Sequence, residues 1–160
     1  MPKLAELDRC TGCTACAAAC PKDCITMQPD AEGFSHPCTD ESKCVGCGLC
    51  EKVCPILNPV KLDHTPVAFA TWSSDDASRL KSTSGGVFPE IAREILSRGG
   101  AVYGAAYDEQ FRVIHICAGD EEMLDRLRGA KYAQSDMTGI FVDVKARLDA
   151  GQQVLFSGTP

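Results

Sequence analysis

The chain has 160 residues, 11 of them cysteines, and a formal net charge of −6 at pH 7. An acidic chain is a poor partner for nucleic acid or an anionic membrane surface, and no stretch approaches the roughly 20 apolar residues of a membrane span. The N-terminal Met-Pro-Lys-Leu-Ala-Glu has no apolar signal-peptide core, which predicts a cytoplasmic, reducing location where disulfides are rare.

Two cysteine runs repeat the spacing C-x2-C-x2-C-x3-C-P. The first is Cys10, Cys13, Cys16 and Cys20 before Pro21, and the second is Cys44, Cys47, Cys50 and Cys54 before Pro55. This bacterial spacing is typical of two 4Fe-4S clusters, in which the fourth cysteine of each run ligates the other cluster. Three thiolates of one tight loop can surround a cluster, whereas the fourth, on the short helix that follows, points away.

The spacing therefore predicts two ligand sets that each combine both runs. Paired C-x2-C units are also zinc ligands, but zinc sites rarely carry a third cysteine two residues later and a fourth before proline. Gly12, Gly46 and Gly48 suit loops with positive φ that approach a cluster closely. The sets are Cys10, Cys13, Cys16 and Cys54 for cluster one, and Cys44, Cys47, Cys50 and Cys20 for cluster two.

Three cysteines and three histidines remain outside these sets. We expect Cys24, Cys38 and Cys117 to be small buried apolar residues. The histidines at 36, 64 and 115 lie in turn, linker and strand sequence, and we expect structural roles for them.

Residues 1–58 form the predicted cluster domain. The segments 25–28 and 34–37 read as a hairpin between the two cysteine loops, and residues 4–56 resemble dicluster ferredoxins. So short a domain cannot fold on apolar burial alone, and we expect iron removal to unfold it. Residues 59–66, which contain two prolines, read as a linker.

The remaining residues alternate predicted strands and helices, which favours an α/β fold with a mixed sheet. Gly99-Gly100 should end the first long helix, and the four residues from Tyr107 to Gln110 lie in hairpin position. The predicted elements are strand 67–72, polar loop 73–84, helix 87–97, strands 101–107 and 112–117, helices 121–127 and 139–148, and strand 153–156.

Two loops of this half are candidate binding sites. Ser82-Thr83-Ser84-Gly85-Gly86 opens a helix and offers hydroxyls and amides to an anion such as phosphate, although an ordinary serine N-cap has the same pattern. The loop 127–136 carries Lys, Tyr, Gln, Ser and Asp side chains between two helices, and a solvated connection is the alternative.

Four ordered segments resemble the beta subunits of deazaflavin (coenzyme F-420) hydrogenases and dehydrogenases, a family with members that carry an N-terminal dicluster ferredoxin. Ala130 and Ala133 depart from the family pattern, and the chain ends where the family continues, so we expect residues 67–160 to be an incomplete domain. The segments are Ser84-Gly-Gly-Val-Phe88, Gly100-Ala-Val-Tyr-Gly-Ala-Ala-Tyr-Asp108, Arg128-Gly-Ala-Lys-Tyr-Ala-Gln-Ser-Asp136 and Val154-Leu-Phe-Ser-Gly-Thr-Pro160.

This resemblance implies FAD as a further cofactor, which would exchange a hydride with a deazaflavin or a similar two-electron substrate. It implies that Ser84, Gly85 and Gly86 face phosphate. It places Lys131 at the flavin edge, and Tyr132 and Gln134 at the ring or ribityl chain.

The predicted fold is thus an α+β ferredoxin-like dicluster domain followed by part of a mixed α/β flavin-type domain. The predicted function is iron–sulfur electron transfer coupled to a flavin-dependent oxidoreductase of the F-420 type. The alternative is a non-catalytic ferredoxin-like subunit that docks to a larger redox complex. Both predict a redox partner protein or other subunits, without nucleic acid or direct membrane insertion.

Overall fold

The computed structural model describes residues 1–61, 63 and 65–158 of the chain. The chain divides into two compact units, a first from Met1 to Thr65 and a second that begins at Pro66. Parts of the predicted linker 59–66, including His64, lie outside the described residues, as do the last two residues of the segment 154–160. None of the helices within the described ranges is long and apolar enough to cross a membrane.

The first unit is built from two short helices and one hairpin. The hairpin strands are antiparallel, with Ile25 opposite Thr39 and Pro29 opposite Ser35. Asp30 stabilises the turn, because its Oδ1 accepts hydrogen bonds from the N–H groups of Glu32 and Phe34. The elements are α1 (Ala15–Ala18), β1 (Ile25–Pro29), β2 (Ser35–Thr39) and α2 (Leu49–Lys52).

The core of the first unit is small and consists partly of cysteines. Cys24, Ile25 and Cys50 are its buried members, and Leu4 and Ala17 pack against them. So little apolar burial cannot offset the conformational entropy of folding. Ligand binding to the cysteines is therefore expected to supply much of the stability.

The second unit contains a three-stranded mixed sheet with four helices. β3 is the central strand; β4 pairs with it antiparallel and β5 parallel. The parallel pair requires a crossover, which includes α5 and α6. The elements are α3 (Asp76–Leu80), α4 (Val87–Ser97), β3 (Ala101–Tyr107), β4 (Val113–Ala118), α5 (Glu121–Arg126), α6 (Ile140–Asp149) and β5 (Val154–Phe156).

The apolar face of α4 packs on the buried residues of β3 and α5. Val102 and Leu124 are fully buried, and Phe88, Ile95 and Leu96 of α4 pack against this core. Burial of this apolar surface is the main stabilising contribution to the second unit. The buried residues are Ala92, Val102, Ala106, Ala118, Leu124 and Leu127.

Most of the predicted elements are confirmed, and the mixed sheet is confirmed with them. The predicted strand 67–72 is wrong, since this segment has no strand pairing and is exposed throughout most of its length. The predicted polar loop 73–84 contains a helix, α3. Ile91 of α4 is 48% exposed, so it lies outside the apolar face of this helix.

Candidate functional site

The two cysteine loops have the same backbone conformation. Gly12 and Gly46 have φ of 64° and 67°, and Thr14 and Gly48, which precede α1 and α2, have φ of 65° and 72°. The sequence repeat is thus also a structural repeat. The positive φ predicted for Gly12, Gly46 and Gly48 is confirmed.

One cavity brings together cysteines of both runs. It opens to solvent, and its lining includes Cys20 together with Cys44, Cys47 and Cys50. Cys20 reaches the second loop because it lies just after α1, which packs against α2. These four thiols are the set predicted for the second cluster.

The cysteines of the first loop lie close enough together to shift the pKa of a neighbouring thiol. Burial raises the pKa of the Cys16 thiol to about 11, and the nearby Cys13 and Cys10 raise it in the same direction. Cys54 follows α2, where its N–H donates to the Glu51 carbonyl at 3.2 Å. The assignment of Cys10, Cys13, Cys16 and Cys54 to one cluster, and of the other four to a second, stays a prediction.

The donor set of the cavity fits an iron–sulfur cluster. In a 4Fe-4S cluster each iron takes one cysteine thiolate, so the four ligands surround a volume rather than a point. Within residues 1–61, 63 and 65–158, no three His, Cys, Asp or Glu side chains are grouped so as to hold a single metal ion. Cys50 is buried and Cys47 exposed, so the site has a covered side and an open side.

The remaining cysteines differ in exposure. Cys24 is buried, as predicted, and it also lines the cavity. Cys38 is exposed, so its predicted burial is wrong; it lies on β2 of a two-stranded ribbon, which has too few layers to cover both faces. Cys117 is of intermediate exposure.

Both described histidines make structural hydrogen bonds. His36 Nε2 lies 3.1 Å from Asp30 Oδ2 in the hairpin. His115 bridges two segments, with Nδ1 at 2.6 Å from Ser135 Oγ and Nε2 at 3.1 Å from the Ser157 carbonyl. Burial lowers the pKa of His115, which favours the neutral ring that donates at one nitrogen and accepts at the other.

Gly86, not a serine, is the residue that precedes α4 in the second unit. Its φ is 75°, so the alternative of a serine N-cap is wrong, and Gly86 has no side chain with which to cap the helix. A Cβ on Gly85 would lie 2.5 Å from the Thr71 carbonyl oxygen. Close packing against residues 71 and 72 therefore requires glycine at position 85, whatever the loop binds.

A buried arginine joins the two candidate loops. Arg128 Nη1 donates to Ser82 Oγ at 3.0 Å and to the Ser78 carbonyl at 3.2 Å. Its Nε donates to Asp125 at 2.6 Å, and only 7% of the side chain is exposed. Arg128 belongs to one of the segments that resemble the family, but no role was predicted for it; the available signal was its position just after a predicted helix.

The predicted flavin residues of the second loop have different environments. Lys131 Nζ donates to the carbonyls of Arg126 and Arg128 at 3.0 and 2.8 Å, which satisfies acceptors at the end of α5. Tyr132 is 97% exposed, and Gln134 is also exposed. The assignment of these three residues, and of Ser84, Gly85 and Gly86, to a flavin stays a prediction.

Comparison with protein families identifies the first unit. Residues 9–57 match the family model of the 4Fe-4S dicluster domain. The chain therefore contains a ferredoxin-like iron–sulfur domain, a class that carries electrons. No curated protein matches the chain.

Proposed function

We propose that the first unit holds two 4Fe-4S clusters and passes single electrons between redox partners. The observation that carries this proposal is the position of Cys20 in one cavity with Cys44, Cys47 and Cys50. When bound, each cluster would supply one-electron transfer.

The protein supplies thiolates, backbone amides and a partial exclusion of solvent. Each thiol must lose its proton to bind iron. Space is open beside Gly46 and Gly48, because no heavy atom beyond their chain neighbours lies within 4 Å of a Cβ built at either position. Amides that reach cluster sulfur stabilise its negative charge and set its potential.

For the second unit we propose a flavin-binding module of the F-420 hydrogenase and dehydrogenase type. The chain would then move electrons between a two-electron cofactor, such as a deazaflavin, and one-electron carriers. Two observations support the proposal. Gly86 directly precedes the eleven-residue helix α4, and glycine-rich loops precede phosphate-binding helix N-termini. Arg128 draws the loop containing Ser82 to the loop that follows α5.

A non-catalytic electron-transfer subunit is the second candidate. It is favoured by Lys131, whose ammonium group already bonds two carbonyl oxygens and has at most one donor left for a flavin. In that case the second unit would dock to a larger redox complex. Cytoplasmic location and a protein redox partner are common to both candidates.

Single cysteine variants test whether each cluster takes its fourth ligand from the other cysteine run. Cys54→Ala should damage the same cluster as Cys10→Ala, whereas Cys44→Ala should damage the other one. Electron paramagnetic resonance of the reduced protein would resolve the two clusters. If Cys54→Ala instead damages the cluster of Cys44, Cys47 and Cys50, the proposed ligand sets are wrong.

Flavin content separates the two candidates for the second unit. The full-length protein is purified without oxygen, and its FAD and iron are measured per chain. Stoichiometric FAD that bleaches on addition of reduced deazaflavin supports the flavoenzyme. Two clusters without FAD in the same preparation support the electron-transfer subunit.

A further inference from the structure

The first residues of the chain lie at the mouth of the cavity proposed for the second cluster. Met1 and Pro2 line this cavity together with cysteines of both runs and with Glu51. The N–H group of Lys3 donates a hydrogen bond to Glu51 Oε1 at 2.8 Å, across 48 residues of sequence. The segment is therefore bonded to α2, the helix that carries the proposed ligand Cys50.

A second contact holds this segment in place. Leu4 packs against the small core of the first unit, and the ring of Pro2 fixes its own backbone torsion φ. Met1 is 85% exposed, so the segment lies on the rim of the cavity and does not fill it. We call residues 1–3 the N-terminal cover.

Glu51 also brings a negative charge to the cavity. It directly follows Cys50 in the sequence and lines the cavity itself. A fixed negative charge beside a cluster disfavours an added electron and so lowers the reduction potential. Glu51 can thus act on a bound cluster both through its charge and through the segment that it holds.

The first site lacks this anchor. When the two cysteine runs are aligned, Glu51 falls on Ala17, as Cys50 falls on Cys16. A methyl side chain accepts no hydrogen bond and carries no charge. The two halves of the structural repeat therefore differ at a position that lines the second site.

We propose that Glu51 is a positioning residue, which holds the N-terminal cover beside the second cluster and limits the access of water and small molecules to it. The inference rests on the proposed function, because it concerns a cluster bound in this cavity. The cover slows the loss of iron from the second cluster. The carboxylate and the exclusion of water lower its reduction potential, because both disfavour the more negative, reduced form.

The anchoring bond sets the size of the expected effect. A tenfold rise in the population with an open cover corresponds to about 1.4 kcal/mol, which lies within the range for one hydrogen bond. When opening and closing are fast, the rate of attack through the open form follows its population. Loss of the bond should therefore speed iron loss from the second cluster about tenfold.

The test compares Lys3→Pro, Lys3→Ala, Glu51→Ala and Glu51→Gln in the full chain, loaded without oxygen and carrying any tag at its C-terminal end. Lys3→Pro removes the N–H group that bonds Glu51 and leaves the carboxylate in place. Lys3→Ala keeps this N–H group and is the matched control. Paramagnetic resonance follows iron loss to a soluble chelator and the reduction potential of each cluster, with signals assigned by the single cysteine variants described above.

We expect Lys3→Pro and Glu51→Ala to speed iron loss from the second cluster and to leave the first unchanged. Lys3→Ala should behave like the unsubstituted protein. Glu51→Gln keeps an oxygen acceptor without the charge, so it should raise the second cluster's potential and speed iron loss less than Glu51→Ala does.

Equal rates of iron loss in Lys3→Pro and Lys3→Ala overturn the inference. Faster loss of both clusters alike, or of the first cluster alone, overturns it as well, because the cover lines only the cavity of the second. An unchanged second-cluster potential in both Glu51 variants overturns the role of the carboxylate. If the unsubstituted protein does not hold two clusters, it is the proposed function that fails.

Discussion

Thr14 offers a direct test of the repeated loop geometry. It has φ of 65°, whereas the equivalent Gly48 has φ of 72°. A left-handed conformation costs a residue with a side chain roughly 1–2 kcal/mol, and a β-branched side chain tolerates it least. Thr14→Gly removes that cost, but it adds roughly 0.4–1 kcal/mol of unfolded-state entropy to be lost on folding.

The balance predicts that Thr14→Gly stabilises the loaded first unit by up to about 1.6 kcal/mol. Each kcal/mol corresponds to a rise of roughly 4–8 °C in the thermal midpoint for a domain of this size. Ala15→Gly, one residue on and inside α1, should instead destabilise by roughly 0.5–1 kcal/mol. By the same balance, Gly48→Thr should destabilise by up to about 1.6 kcal/mol. The assay is the thermal midpoint of iron–sulfur absorbance at one scan rate without oxygen. If Thr14→Gly and Ala15→Gly lower the midpoint alike, the left-handed geometry at Thr14 is refuted.

Three further predictions concern the units separately. A chelator that removes iron should unfold the first unit and leave the second folded, as seen by proteolysis of each. Gly100→Ala places a Cβ 2.5 Å from Ile95 Cγ2 and 2.9 Å from the Gln153 carbonyl oxygen. In a urea titration it should destabilise the second unit by about 1–3 kcal/mol. Gly119→Ala, whose Cβ would have nothing within 4 Å, is the control and should be neutral in that titration. Burial holds the pKa of His115 below its ordinary 6.5, so just below that pH the unfolded chain binds more protons than the folded protein. The free energy of unfolding should therefore fall as the pH drops below about 6.5. His115→Gln should flatten this pH dependence of stability between about pH 7 and 5.5.

Helices and strands that pack on the core could be predicted from the sequence. Helix α4 and strand β3 have the bounds that their apolar periodicity and the Gly99-Gly100 pair predicted, Val87–Ser97 and Ala101–Tyr107. In both cases the apolar residues of one element meet those of the other. Local pattern and tertiary packing favour the same structure there.

The prediction of secondary structure failed where the local sequence pattern and the tertiary packing disagree. Val67 to Trp72 has the β-branched and aromatic composition of a strand, yet Phe69 is 81% exposed and Trp72 68%. A strand needs a partner for its backbone, and a propensity cannot show whether one is present. Helix α3 was missed because it has only five residues; its signal was Asp75, whose side chain accepts from Ala77 N.

The cysteine spacing limits the candidate site more closely than it limits the fold around it, for a physical reason. Ligand spacing is local, so C-x2-C-x2-C within one loop already limits the geometry, and the fourth cysteine had to leave that loop. Nothing in the spacing distinguishes Cys24 from a buried apolar residue, because its proximity to Cys20 depends on the left-handed turn at Asp23.

An alignment of the two cysteine runs on each other shows in part that Cys24 differs from an ordinary buried residue. It places Cys24 opposite Asn58, and a difference between halves of a repeat marks a position where the two sites have different requirements. Thr14 opposite Gly48 is a second such difference, one of backbone strain rather than of ligand chemistry. Thr14 lies within the first run and Cys24 four residues after it, so changes in this segment should affect the two clusters unequally, although the two cysteine loops have the same conformation.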